Sequence, residues 1–104
     1  MKLNVLERIV SLSVLTEYKE GNFITFKMIS ELKNKLTVSE QEIKDFDLKI
    51  DGNNYTWNHK GNKEVDIDIT EGEKNLIKDL LIAKDKDNKL LEQHVNVYKK
   101  FVLE

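Results

Sequence analysis

Phe46-Asp47-Leu48-Lys49-Ile50-Asp51-Gly52 decides the fold class of this chain. Before it, apolar residues recur every three or four positions. Here they alternate with charged ones, the two-residue period of a half-buried strand. Asp51-Gly52 is a tight-turn signal, because both residues tolerate positive φ. With that pair as the loop, Leu48 faces Tyr55 and Phe46 faces Trp57, which puts aromatic and aliphatic side chains on one face. Lys60-Gly61-Asn62 predicts a second turn, after which Glu64-Val65-Asp66-Ile67-Asp68-Ile69 alternates again. The expectation is a three-stranded antiparallel meander with one apolar and one acidic face.

Helical periodicity flanks this segment on both sides. A first helix is expected over about Asn4 to Tyr18, with apolar residues around half its circumference, so it is central or partly covered by a second copy of the chain. A second helix is expected from about Thr25 to Leu36, where Phe26, Ile29, Leu32 and Leu36 share a face. The preceding Phe23-Ile24-Thr25 also reads as a short strand. Ser39-Glu40-Gln41-Glu42 has the form of a capping box opening a short third helix, and Thr37 with Glu40 offers the same box two residues earlier. Thr70 and Glu73 form another, ahead of a helix marked by Leu76, Ile77, Leu80 and Leu81. After a polar connection at Lys84 to Lys89, Leu91, Val95, Tyr98 and Val102 mark a last helix, its face broadened by Phe101. The fold class is α+β in one domain over residues 1–104, with four to five helices packed on one face of the meander.

Three helices followed by a hairpin is also the order of a winged helix-turn-helix, whose third helix enters the major groove. Here that helix would carry Glu40, Glu42 and Asp45 against Lys44, which repels phosphate. The charge distribution points the same way. The 104 residues hold 17 basic and 19 acidic side chains, a net −2, but residues 37–73 alone hold four basic and ten acidic, a local −6 between two segments of +2. Arg8 is the only arginine. Bidentate phosphate and guanine contacts rely on arginine, so its scarcity counts against nucleic acid as a partner.

No residue pattern supports catalysis. His59 and His94, the only imidazoles, lack a motif that would orient them as general bases. The chain has no cysteine, which excludes disulfides, thiolate metal sites and a cysteine nucleophile. Asp85-Lys86-Asp87-Asn88-Lys89 fails as a calcium loop, because Lys89 and Leu90 stand where an oxygen ligand and a glycine are required. No cofactor and no metal are expected. No apolar run reaches the ~20 residues of a membrane span, and no signal peptide opens the chain, so no membrane association is expected. Tyr55 and Trp57 are expected on the core side of the sheet rather than as a base-stacking platform. The surface feature that remains is acidic: Glu64, Asp66 and Asp68 from the third strand, joined by Asp47 and Asp51 from the first. Such a face suits a protein partner with a basic surface, since clustered like charges accelerate association with an opposite field. Its ordinary alternative is a solvated outer face whose edge charges deter aggregation.

Leu6-Glu7-Arg8, Gly21-Asn22-Phe23 with Lys27, Leu32 and Leu36, Trp57-Asn58, the Ile69, Glu73 and Ile77 register, Lys89-Leu90 and Tyr98-Lys99-Lys100-Phe101 together carry a resemblance. Across most of its length the chain resembles a group of small uncharacterised proteins encoded by phages and prophages of Gram-positive bacteria. It departs from them at Leu15-Thr16-Glu17, where such proteins often carry a proline. The resemblance implies an accessory role in the host cytoplasm and brings no catalytic residue with it. The expected function is therefore non-enzymatic protein binding, with inhibition of a host enzyme or defence complex as its specific form. A winged-helix-like nucleic-acid-binding regulator is the alternative, and a homodimer is compatible with the broad first helix.

Overall fold

Asn4 starts the helix around which the molecule is arranged. Its side chain accepts from the Glu7 N–H and the Glu7 carboxylate accepts from the Asn4 N–H, both at 2.9 Å, so two amides that helix geometry leaves unpaired are satisfied at once. The computed structural model describes residues 1–52 and 54–104. In it α1 spans Val5–Thr16, α2 Phe23–Leu36 and α3 Glu40–Asp45. Asn22 caps α2 by accepting from the Thr25 N–H at 2.8 Å, which makes Phe23-Ile24-Thr25 the first helical turn and not a strand. Ser39 and Glu42 form the capping box of α3. A fourth helix, α4, covers Glu71–Lys86 behind the Thr70–Glu73 box. It ends in a Schellman motif: Asn88 takes a left-handed φ of 56°, while the Lys89 N–H reaches the Lys84 carbonyl and the Asn88 N–H that of Asp85. The final helix, α5, is Val95–Tyr98 and runs on through a wider π-type turn over Lys99–Leu103.

The sheet differs from the expected meander. Two separate antiparallel ladders form: β1 (Lys2–Leu3) with β4 (Val65–Asp66), and β2 (Lys49–Asp51) with β3 (Asn54–Thr56). In the second ladder Ile50 pairs with Tyr55 and Asp51 with Asn54, so the turn sits one residue later than expected. That shift preserves side-chain parity, and Tyr55 still opposes the Leu48 and Ile50 face. Phe46 is not in a strand; it closes α3, and Asp47 at φ 51° turns the chain away from it. The expected turn at Lys60-Gly61-Asn62 exists within a 3-10 turn over His59–Asn62. It sends the chain to the N-terminal strand instead of back along β3, which is why the third strand never joins the hairpin.

The helices do not layer on one face of a sheet. They gather round α1, whose Val5, Val10, Val14 and Leu15 are buried, and the breadth of its apolar face follows from having neighbours on several sides. Ile29, Leu32 and Leu36 of α2, Ile77 and Leu81 of α4, and Val97 and Phe101 at the C-terminus complete the core. The last helix buries only part of the expected face. Phe101 is buried together with His94 and Val97, and Tyr98 and Val102 pack half-buried against the core, while Leu91 and Val95 are 60% and 46% exposed. The architecture is α+β. The order α1, α2, α3, hairpin matches a winged helix, but α3 is six residues long and buries none of them. Among the described residues, no helix is long and apolar enough to cross a membrane.

Candidate functional site

The short helix α3 and the hairpin are held to α1 by one side chain. Arg8 is 3% exposed and each of its three guanidinium nitrogens donates to an acceptor. Nη1 and Nη2 donate to the two Glu42 carboxylate oxygens at 2.7 and 3.2 Å, Nε donates to the Leu36 carbonyl at 3.0 Å, and Nη2 also reaches the Thr37 carbonyl at 2.8 Å. The planar fork thus closes the C-terminus of α2 and pins α3 in one step. Its hydrogen bonds hold the Glu42 carboxyl at about 2, well below the ordinary carboxylate value, although partial burial opposes that shift. The hairpin hangs from α3 by backbone and amide bonds. The Leu48 N–H donates to the Ile43 carbonyl, and Asn58 donates from its backbone to Phe46 and from its side chain to Asp45.

This arrangement leaves a groove of about 780 Å³ between α1, α3 and the hairpin. Leu6, Ile9, Leu12, Ser13 and Thr16 of α1 form its floor; Ile43, Leu48, Ile50 and Tyr55 line its other side. Several of these are large and open to water: Leu6 and Ile43 are each 39% exposed, Tyr55 43% and Ile50 64%. A contiguous apolar surface of this kind marks an interaction site more often than a scattered exposed leucine does. Tyr55 therefore lies on the groove and not in the core. Trp57 is half-buried against its own turn, donating from its indole to Asn62 Oδ1 at 3.0 Å.

The five acidic residues divide between the two ladders. Asp47 and Asp51 belong to the hairpin side, and Glu64, Asp66 and Asp68 follow the His59–Asn62 turn. Several have internal partners. Lys100 bonds Glu64, and also reaches Glu7 and the Lys2 carbonyl, each at 2.8 Å. Burial works against the Lys100 charge, but the carboxylates outweigh it and raise its pKa above the ordinary lysine value. Asp66 accepts from the Met1 ammonium at 3.0 Å, and Asp47 stands 3.7 Å from Lys49. Asp66 and Asp68 line a second, polar cleft of about 350 Å³ together with Arg8, Lys35 and Glu42. Asp51 is exposed beside the hairpin turn.

Of the two histidines, His59 is exposed in its turn. His94 is buried and its Nδ1 accepts from the Leu91 N–H at 2.9 Å, which fixes the proton of the neutral ring on Nε2. Burial, and then Lys84, push its pKa down. Neither the groove nor the Arg8 bracket carries a sequence motif. Exposed apolar positions facing each other across three elements become visible only when those elements are placed.

No protein-family model, curated protein or solved structure matches the chain.

Proposed function

We propose that the protein is a non-enzymatic accessory protein of phage type that acts by binding another protein, with inhibition of a host enzyme or defence complex as the specific form of that role. The observation that supports it is the open apolar groove between α1, α3 and the hairpin. The partner places apolar side chains there and presents a basic surface around them. Residues 39–56, which include both non-α1 walls, hold five acidic and two basic side chains. An apolar centre with a charged surround is the usual anatomy of a protein interface. Asp47, Asp51, Glu64, Asp66 and Asp68 remain the proposed steering charges, with Asp51 and Asp68 the clearest because Glu64 and Asp66 are bonded within the molecule.

A photo-crosslinking residue at position 50, used in a lysate of a Gram-positive host, tests this reading. It is expected to trap one protein in a salt-sensitive manner, and charge reversal at Asp51 and Asp68 is expected to weaken the capture. Unchanged capture when Leu6→Asp, on the opposite side of the groove, is combined with those reversals would sink it. The second reading, a winged-helix-like nucleic-acid regulator, draws on the order of α1, α2, α3 and hairpin. Against it, the helix that would enter DNA is acidic and has Glu42 tied to Arg8. Submicromolar duplex binding that is lost on substitution of Lys33 or Lys44 would put it first.

A further inference from the structure

We infer that the groove takes an amphipathic helix with basic flanks, an inference that rests on the protein-binding reading above and gives the partner a shape. Three observations lead there.

The floor is helical. Leu6, Ile9, Ser13 and Thr16 recur at spacings of three and four along α1 and run for about 15 Å at 1.5 Å per residue. That length matches two to three turns of a second helix lying across or along it, and the small Ser13 and Thr16 side chains let its axis come close. The floor offers an incoming backbone few side-chain partners. The Thr16 hydroxyl already donates to the Leu12 carbonyl at 2.9 Å, and Ser13 is the one other hydroxyl in a strip whose remaining floor residues, Leu6, Ile9 and Leu12, are aliphatic. An extended segment laid on such a surface would bury unpaired N–H and C=O groups, each at a cost, whereas a helix satisfies its own backbone internally. Apolar anchors at i, i+3 or i+4, and i+7 would then fill the groove.

The charge of the walls supplies the second half. Glu40, Asp45, Asp47 and Asp51 surround Ile43, Leu48 and Ile50 in sequence, with only Lys44 and Lys49 opposing them. The lining itself carries two charged residues, Lys19 and Glu17, and Glu17 is already bonded to Lys84 at 2.8 Å. Attraction to lysine or arginine on the flanks of the partner helix therefore comes from α3 and the hairpin.

Three synthetic peptides of equal length test this by fluorescence anisotropy against the intact chain. The first has leucines at helical spacing and lysines on the other face, the second has the same composition in strict alternation, and the third replaces lysine by glutamate in the first. The first peptide is expected to bind about tenfold or more tightly than either of the others. Ile50→Asp and Leu6→Asp are each expected to weaken it about tenfold, with Phe23→Asp, an 80% exposed apolar residue outside the groove, leaving it unchanged. Preference for the alternating peptide, still lost in Ile50→Asp, overturns the helix and leaves groove docking intact, with a strand on a hairpin edge in its place. Equal binding of all three, or of none, overturns the inference, and crosslinking from position 50 then decides the broader reading separately. Concentration-dependent sedimentation that disappears in Ile50→Asp would place a second copy in the groove and overturn it as well.

Discussion

Arg8 sits at the junction of α1, α2 and α3 with all three of its guanidinium nitrogens hydrogen-bonded, and it shows how one residue can settle a tertiary arrangement. A lysine offers a point charge where the site needs a fork. Arg8→Ala is expected to cost about 3 kcal/mol in urea unfolding, because it leaves Glu42 and two carbonyls without their partner. The same pair predicts an acid response. Glu42 has a folded pKa of about 2 against an ordinary 4.5, so its contribution is fully present above pH 4.5 and is lost as the pH falls toward 2. Glu42→Gln should flatten that part of the stability profile; an unchanged acid limb would contradict the assignment. His94 acts in a higher window. Its folded pKa is depressed from 6.5, so the unfolded chain binds the proton first and stability falls as the pH drops below 6.5. Protonation also removes the Nδ1 acceptor of the Leu91 N–H. Melting temperatures measured between pH 7 and 5 should decline in the native chain and much less in His94→Asn.

At the scale of elements, the errors of sequence reading have local causes. In the last helix the expected Phe101 is buried and Tyr98 and Val102 pack half-buried beside it, but Leu91 and Val95 turn outward and His94 and Val97 take the inward positions. His94 serves as a cap while facing the core. Phe101→Ala is expected to cost about 4 kcal/mol and Leu91→Ala no more than about 0.5 kcal/mol; a reversed order in chemical denaturation would refute the observed phase. The strand that left the expected meander was diverted by the turn at His59–Asn62, where the Trp57 ring lies over Gly61. A Cβ at Gly61 would stand 2.5 Å from Trp57 Cδ1, so Gly61→Ala should cost about 2 kcal/mol by overpacking and shift the Trp57 emission. Gly52 differs. It has open space around it but φ is +62°, so an alanine there is penalised by about 1 kcal/mol of backbone strain with no change in Trp57 fluorescence.

For the whole molecule, the charge pattern and the groove belong together. A net charge of −2 conceals an acidic middle segment, and that segment supplies both α3 and the hairpin, the walls of the apolar groove of about 780 Å³. Glu64 and Asp66 are spent on internal bonds to Lys100 and the Met1 ammonium. The proposed steering charges are therefore concentrated at Asp51 and Asp68 rather than spread over one continuous acidic face. Partner association is accordingly expected to slow as ionic strength rises, while dissociation responds mainly to groove substitutions such as Ile50→Asp; surface plasmon resonance across a salt series separates the two.

Local chemistry by itself determined that α1, α2 and α4 form and where α1 and α4 begin, and it left the starts of α2 and α3 open. Asn4, Ser39 and Thr70 each bond an amide within three residues, and apolar spacing over ten or more residues leaves little choice of face for α1, α2 and α4. The two-residue period also located the hairpin, and its side-chain parity survived a one-residue displacement of the turn. Only the tertiary structure decided what depends on partners distant in sequence. The two-residue strand Lys2–Leu3 is too short to show a period, so its pairing with Val65–Asp66 could not be read. The bracket from Arg8 to Glu42 spans 34 residues and leaves no local trace. The groove exists because α3 and the hairpin stand off from α1 at a distance that this bracket and the Asp47 bend set, and no pattern along the chain records a distance between elements.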